Sequence, residues 1–127
     1  MMKIMIETIP HGEQRYPTCG DWQWLTDDEL IIRVSEMGDW RYNAAVAVHE
    51  LVEVLLCKQD GVTEAAVDAF DMAYEARRPE GDLSEPGDDP ACPCARQHCF
   101  ATGIERMLIA AFGVSWPSYE AAVKALP

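Results

Sequence analysis

Apolar and polar positions alternate over Lys3–Ile9 (KIMIETI), and a β-branched run fills Glu29–Ser35 (ELIIRVS). Both patterns predict strands. Between them, His11–Gly20 is rich in turn formers. Gly38-Asp39 then breaks the pattern, with Asp39 placed to cap a helix over Trp40–Lys58. Ten of the thirteen residues from Ala44 to Leu56 are apolar, so this helix is expected to be largely enclosed. Thr63 is positioned to cap a second helix over Glu64–Arg78. Pro79–Pro90 (PEGDLSEPGDDP), with three Pro and five acids, reads as a loop. A third helix is predicted from about Cys94 to Phe112, ending at Gly113. A short fourth runs from Ser115-Trp116-Pro117 to near Leu126. The expected fold class is α+β, with a small N-terminal antiparallel sheet followed by three or four packed helices. One domain is expected over 1–127, with strands and turns in 1–38 and a helical part in 39–127 that contains the acidic loop 79–90.

On the first helix the only polar residues between Ala44 and Leu56 are His49, Glu50 and Glu53, and they share an arc of about 100°. His49 and Glu53 stand at i and i+4, so their side chains can converge on one ion. An ordinary ion pair on a wet face would use the same spacing, and both readings stay open. What weighs against a wet face is the narrowness of the stripe, because enclosed charges need a partner or a cation. The second helix lines Glu64, Asp68, Asp71 and Glu75 along one stripe, as a solvated face or as acids pointing into a shared site. On the third helix, His98, Thr102 and Glu105 share a face. His98 is the best third ligand from outside the first helix, and His11, in its turn-rich segment, is a weaker one.

Charge narrows the partners. With 10 Lys+Arg against 22 Asp+Glu the net charge is −12, and each half of the chain carries 5 bases and 11 acids. That balance argues against nucleic acid or anionic membrane as a partner. No apolar run approaches the ~20 residues of a membrane span, and the N-terminus lacks the features of a signal peptide. Five cysteines, an odd number, suggest free thiols in a reducing cytoplasm. Cys92-x-Cys94-x4-Cys99 beside His98 invites a zinc reading, but its spacing is poor for one.

The stretch Leu30–Lys58, with His49-Glu50-Leu51-Val52-Glu53 on its helix, resembles the strand-then-helix segment of zincin-type zinc metallopeptidases. In that family H-E-x-x-H supplies two zinc ligands, and the Glu activates water. The resemblance implies His49 as ligand and Glu50 as general base, with Glu53 standing where the family has its second His. The HELVE, VDAFDMAYE, EPGDDP and FGVSWPSY segments, with His98, are similar to those of a family of small phage and prophage proteins. That likeness implies a bacterial host cytoplasm and no particular substrate. Glu50-x-x-Glu53 and Asp68-x-x-Asp71 also resemble the E-x-x-E and E-x-x-D pairs of MazG-type nucleotide pyrophosphohydrolases, which implies Mg²⁺ or Mn²⁺ on Glu50, Glu53, Asp68 and Asp71.

The leading expectation is a metal-binding hydrolase or peptidase-like domain acting on a peptide or small molecule. Zn²⁺ would be held by His49, Glu53 and His98, and Glu50 would be the base. Asp68, Asp71, Glu75 and Glu105 would stand behind the ligands or replace them. The pyrophosphohydrolase is the first alternative. The second is a non-catalytic acidic protein that mimics nucleic acid and covers a basic host protein. Convergence of His49, Glu53 and His98 within about 4–5 Å would fit a shared ion with bonds of ~2 Å.

Overall fold

The computed structural model describes residues 1–127. Three strands form one sheet: β1 (Lys3–Ile9), β2 (Gly20–Thr26) and β3 (Glu29–Ser35). Four helices follow: α1 (Trp40–Asp60), α2 (Glu64–Arg77), α3 (Ala95–Ala111) and α4 (Trp116–Lys124). The α+β class, with a small N-terminal sheet ahead of the helices, is as expected. The sheet itself is mixed rather than purely antiparallel. Its order is β1-β3-β2; β2 and β3 form an antiparallel hairpin, and β1 pairs with β3 in parallel. The cause is the path of residues 10–19. They cross the end of β3, so that Ile9 finishes beside Ser35 and Gly20 begins beside Val34.

β2 was not among the expected strands. Its signal was the alternation of Asp21 and Gln23 with Trp22 and Trp24. The Gly and turn formers just before it obscured that period.

Local chemistry accounts for the helix ends. The Asp39 carboxylate accepts from the Arg41 N–H, Thr63 Oγ1 from Ala66 N–H, and Ser115 Oγ from Ser118 N–H. Each satisfies an otherwise orphaned first-turn donor. α1 stops at Gly61, whose φ of 72° is a left-handed conformation that a side chain would strain, and whose N–H returns to Cys57 and Lys58 carbonyls. α1 packs on β2 and β3 with one flank and on α3 with another. The core between these layers holds Trp22, Leu30, Ile32, Val34, Val46, Val54, Ile109 and Tyr119. No helix is long and apolar enough to cross a membrane.

Candidate metal centre

α1 turns its polar arc inward. His49, Glu50 and Glu53 are 6%, 9% and 6% exposed, so the wet-face reading of this stripe does not hold. α3 lies against the same flank and brings in His98 and Glu105, both buried. The three side-chain atoms expected to meet do meet. His49 Nε2 lies 3.1 Å from Glu53 Oε2 and 3.2 Å from His98 Nδ1, and His98 Nδ1 lies 3.1 Å from Glu53 Oε2.

The remaining atoms of these side chains are held from behind. His49 Nδ1 is 2.7 Å from Glu105 Oε1, and the Tyr119 hydroxyl donates to the other oxygen of Glu105. Trp22 Nε1–H donates to Glu53 Oε1 at 3.2 Å. When His49 Nδ1–H donates to Glu105, its Nε2 is left as a lone pair facing a carboxylate oxygen and a second ring nitrogen. Three acceptor-capable atoms pointed at one spot ask for a proton or a cation. Tetrahedral ligation at ~2.0–2.2 Å would put ligand atoms about 3.3–3.5 Å apart. The triangle therefore needs only a few tenths of an ångström of adjustment to close on an ion, and the donor set of two imidazoles and one carboxylate suits zinc.

Electrostatics agree with that geometry. Burial works against charge on His49, but its bonds to Glu105 and Glu53 more than offset this and raise it to about 10. His98 is likewise penalised by burial and lifted to about 11 by Glu53 and Glu85. Burial would raise Glu53, yet the two imidazoles bring it down to about 2. Glu50 differs from all of these. Burial, with the nearby Glu53 charge, pushes it well above the usual carboxylate range. It lies against β2 at Gly20, where a Cβ would come within 2.8 Å of Glu50 Cγ and 2.7 Å of Val46 Cγ1. A glycine here is what allows the carboxylate to lie between helix and strand. No protein donor bonds the Glu50 carboxylate, and it faces a cavity of about 670 Å³ that also exposes His49, Glu53 and His98.

Three of the α2 acids, Asp68, Asp71 and Glu75, line the same cavity, and all four acids of the stripe are already engaged. Arg15 clamps Asp68 (3.1 and 3.2 Å) while also binding Asp21 (2.7 and 2.9 Å). Tyr16 donates to Asp71 at 2.9 Å, Arg78 binds Glu75 at 2.6 and 3.1 Å, and the backbone N–H of Trp24 donates to Glu64 at 2.6 Å. Of the acids expected behind the ligands, Glu105 touches one, whereas Asp68, Asp71 and Glu75 touch Arg15, Tyr16 and Arg78. His11 also lines the cavity but stays out of the cluster, its ring bonded to Ser35 Oγ and the Pro127 carbonyl at 2.9 Å each. The cysteines do not gather round a ligand point. Cys92 and Cys94 are core residues with sulfurs 2.8 Å apart, and Cys99 is exposed.

Five residues that shape the site were absent from the sequence-based set: Trp22, Tyr119, Gly20, Glu85 and Asp88. Tyr119 and Glu85/Asp88 belong to the FGVSWPSY and EPGDDP segments, which stood out as motifs without a chemical role. Trp22 and Gly20 sit on the strand that was missed. No protein-family model matches the chain, and no curated protein or solved structure matches it.

Proposed function

We propose that the chain is a metal-dependent hydrolase of peptidase-like type, with a divalent ion, Zn²⁺ by its donor set, held by His49, Glu53 and His98. The observation that carries this reading is the mutual 3.1–3.2 Å spacing of His49 Nε2, Glu53 Oε2 and His98 Nδ1, three buried atoms from two helices. An ion at such a site supplies Lewis acidity, lowering the pKa of water towards ~7 and polarising a carbonyl.

The chain's own groups do the rest. Glu105, fixed by Tyr119, holds the His49 ring so that Nε2 faces the ion. Trp22 holds the Glu53 carboxylate. Glu50, buried and free of protein donors, has the raised proton affinity of a general base and takes a proton from the attacking water. It then passes that proton to the leaving group. Acids outnumber Arg and Lys on the cavity wall by twelve to three, and two of those three, Arg78 and Lys124, are paired with Glu75 and Glu120. Such a wall favours a neutral or basic substrate, such as a peptide, over a polyphosphate.

That charge pattern, with Arg15 on Asp68 and Tyr16 on Asp71, puts the Mg²⁺ pyrophosphohydrolase second. What keeps it in view is that Glu50, Glu53, Asp68 and Asp71 all line one cavity. The test is metal analysis by ICP-MS on untagged protein, followed by a peptide-library cleavage assay. Stoichiometric zinc that is lost in His49→Ala, with cleavage lost in Glu50→Gln, is the expected result. No retained metal, or nucleoside triphosphate turnover lost in Asp68→Asn, would overturn it.

A further inference from the structure

His98 presents its Nδ1 to His49 and Glu53, and its other nitrogen faces a second pair of carboxylates. Nε2 lies 3.2 Å from Glu85 Oε2 and 3.2 Å from Asp88 Oδ1. All three atoms lie within 4.8 Å of one another. His98 is only 8% exposed, yet its Nε2 makes no aligned hydrogen bond to any protein group. Both carboxylates are near this nitrogen, and neither lies where its N–H would point. A buried imidazole nitrogen left without a bond is unfavourable, because its lost hydration is not replaced. Two oxygens close to the nitrogen but off its N–H direction suit an ion shared by all three atoms better than a hydrogen bond.

The backbone builds this arrangement deliberately. Pro86–Asp88 forms one 3-10 turn, closed by Asp88 N–H to the Glu85 carbonyl at 3.1 Å. Residues three apart eclipse in such a turn, so Glu85 and Asp88 come out on one side. Gly87 between them presses on the imidazole face. A Cβ there would stand 2.4 Å from Nδ1 and 2.5 Å from Cγ of His98. Only a glycine lets the turn seat the ring between its two acids.

We propose that Glu85, Asp88 and Nε2 of His98 form a second divalent-cation site, sharing the His98 ring with the first. The Glu85 and Asp88 side chains are 47% and 64% exposed, so the ion enters from solvent and water completes its shell. One nitrogen and two carboxylates suit Zn²⁺ or Mn²⁺. With both sites filled, the His98 ring would offer one nitrogen to each ion, its last N–H proton having gone to solvent. The first site is the one on which the proposed function rests; the second needs only His98 in common with it.

The test counts zinc. Untagged full-length protein, stripped with a chelator and checked for folding by circular dichroism, is dialysed against Zn²⁺ and assayed by ICP-MS. The expected result is two ions per chain in the parent and one in the Glu85→Gln/Asp88→Asn variant. Glu53→Gln, a change at the first site alone, is also expected to retain one. Because Glu85 and Asp88 are solvent-facing, their double variant keeps the fold. Saturation at one ion in both the parent and the Glu85→Gln/Asp88→Asn variant overturns the second site and leaves those acids as acceptors for the ring. A single ion in the parent that is lost in Glu85→Gln/Asp88→Asn but kept in Glu53→Gln upholds the second site and overturns the proposed function instead. No ion in the parent overturns both.

Discussion

Two neighbouring helices carry acidic stripes that look alike on paper and do opposite things. On α2, Glu64, Asp68, Asp71 and Glu75 each end on a donor of the protein: Trp24 N–H, Arg15, Tyr16 and Arg78. Three of these carboxylates tie α2 to β2 and to the segment before it, and Glu75 holds Arg78 at the helix's own C-terminal end. On α1, Glu53 is held by Trp22 and two imidazoles, and Glu50, equally buried, has no donor at all. The lesson is that a carboxylate's role follows from what remains unpaired after the fold has formed. A half-buried acid engaged by a donor of the fold is architecture; a buried one left open in a cavity is available for chemistry.

The sharpest way to break this contrast is to remove His49. His49→Ala leaves Glu53 and Glu105 buried without their imidazole. It is expected to cost about 3–5 kcal/mol of stability, read by chemical denaturation, and to abolish tight zinc binding. An Asp68→Asn change on the α2 stripe should leave zinc stoichiometry untouched. Equal metal loss in both variants would erase the distinction.

Next in size is Glu50→Gln. Removing a general base is expected to lower cleavage by ~10²–10⁴-fold while zinc content stays at the parent level. Because burial disfavours the Glu50 charge, thermal stability should hold or rise. A Glu50→Gln protein that loses its metal would make Glu50 a ligand rather than a base.

Proton competition gives a third, graded effect. The carboxylates around His49 and His98 raise them to about 10 and 11, so protons oppose an ion throughout the neutral range. Zinc affinity should therefore climb with pH between 6 and 8, by up to ~100-fold per pH unit if both rings release a proton. Titration calorimetry in several buffers checks this, and a flat profile would count against imidazole ligation.

The smallest effect concerns α2. Burial, with a contribution from Glu53, raises Asp71 from 3.8 to about 6, against the pull of its Tyr16 bond. The folded value exceeds the unfolded one, so the favourable contribution is present below pH 3.8 and lost as pH rises through about 6. Asp71→Asn cannot ionise, and its amide oxygen can still accept from Tyr16. It should match the parent at low pH and exceed it by ~1–2 kcal/mol above pH 6, after discounting for the solvent that Asp71 still meets.

Much of this was legible from periodicity. The 13-residue apolar run with three polar positions marked α1 as enclosed and paired His49 with Glu53, and the Asp39 and Thr63 caps were readable as such. The parallel placement of β1 was not, because it depends on the route of residues 10–19 across the end of β3, which no local pattern encodes. The same limit applied within the site. That Glu105 backs His49, 56 residues away, is a property of how α1 packs on α3. Spacing could put Glu105 on the face of His98, but not aim it across the interface. For α2 the stripe was visible, and its partners Arg15 and Tyr16 lay in a turn-rich segment that offered no sign of where it would fold.

X-ray absorption at the zinc edge tests the central claim most directly, using the Glu85→Gln/Asp88→Asn variant so that the His49, Glu53 and His98 site alone is loaded. The account predicts a shell of nitrogen and oxygen at ~2.0–2.2 Å with the outer-ring scattering of two imidazoles. A shell containing sulfur at ~2.3 Å, which only Cys92, Cys94 or another thiol could supply, or a spectrum without imidazole, would contradict it.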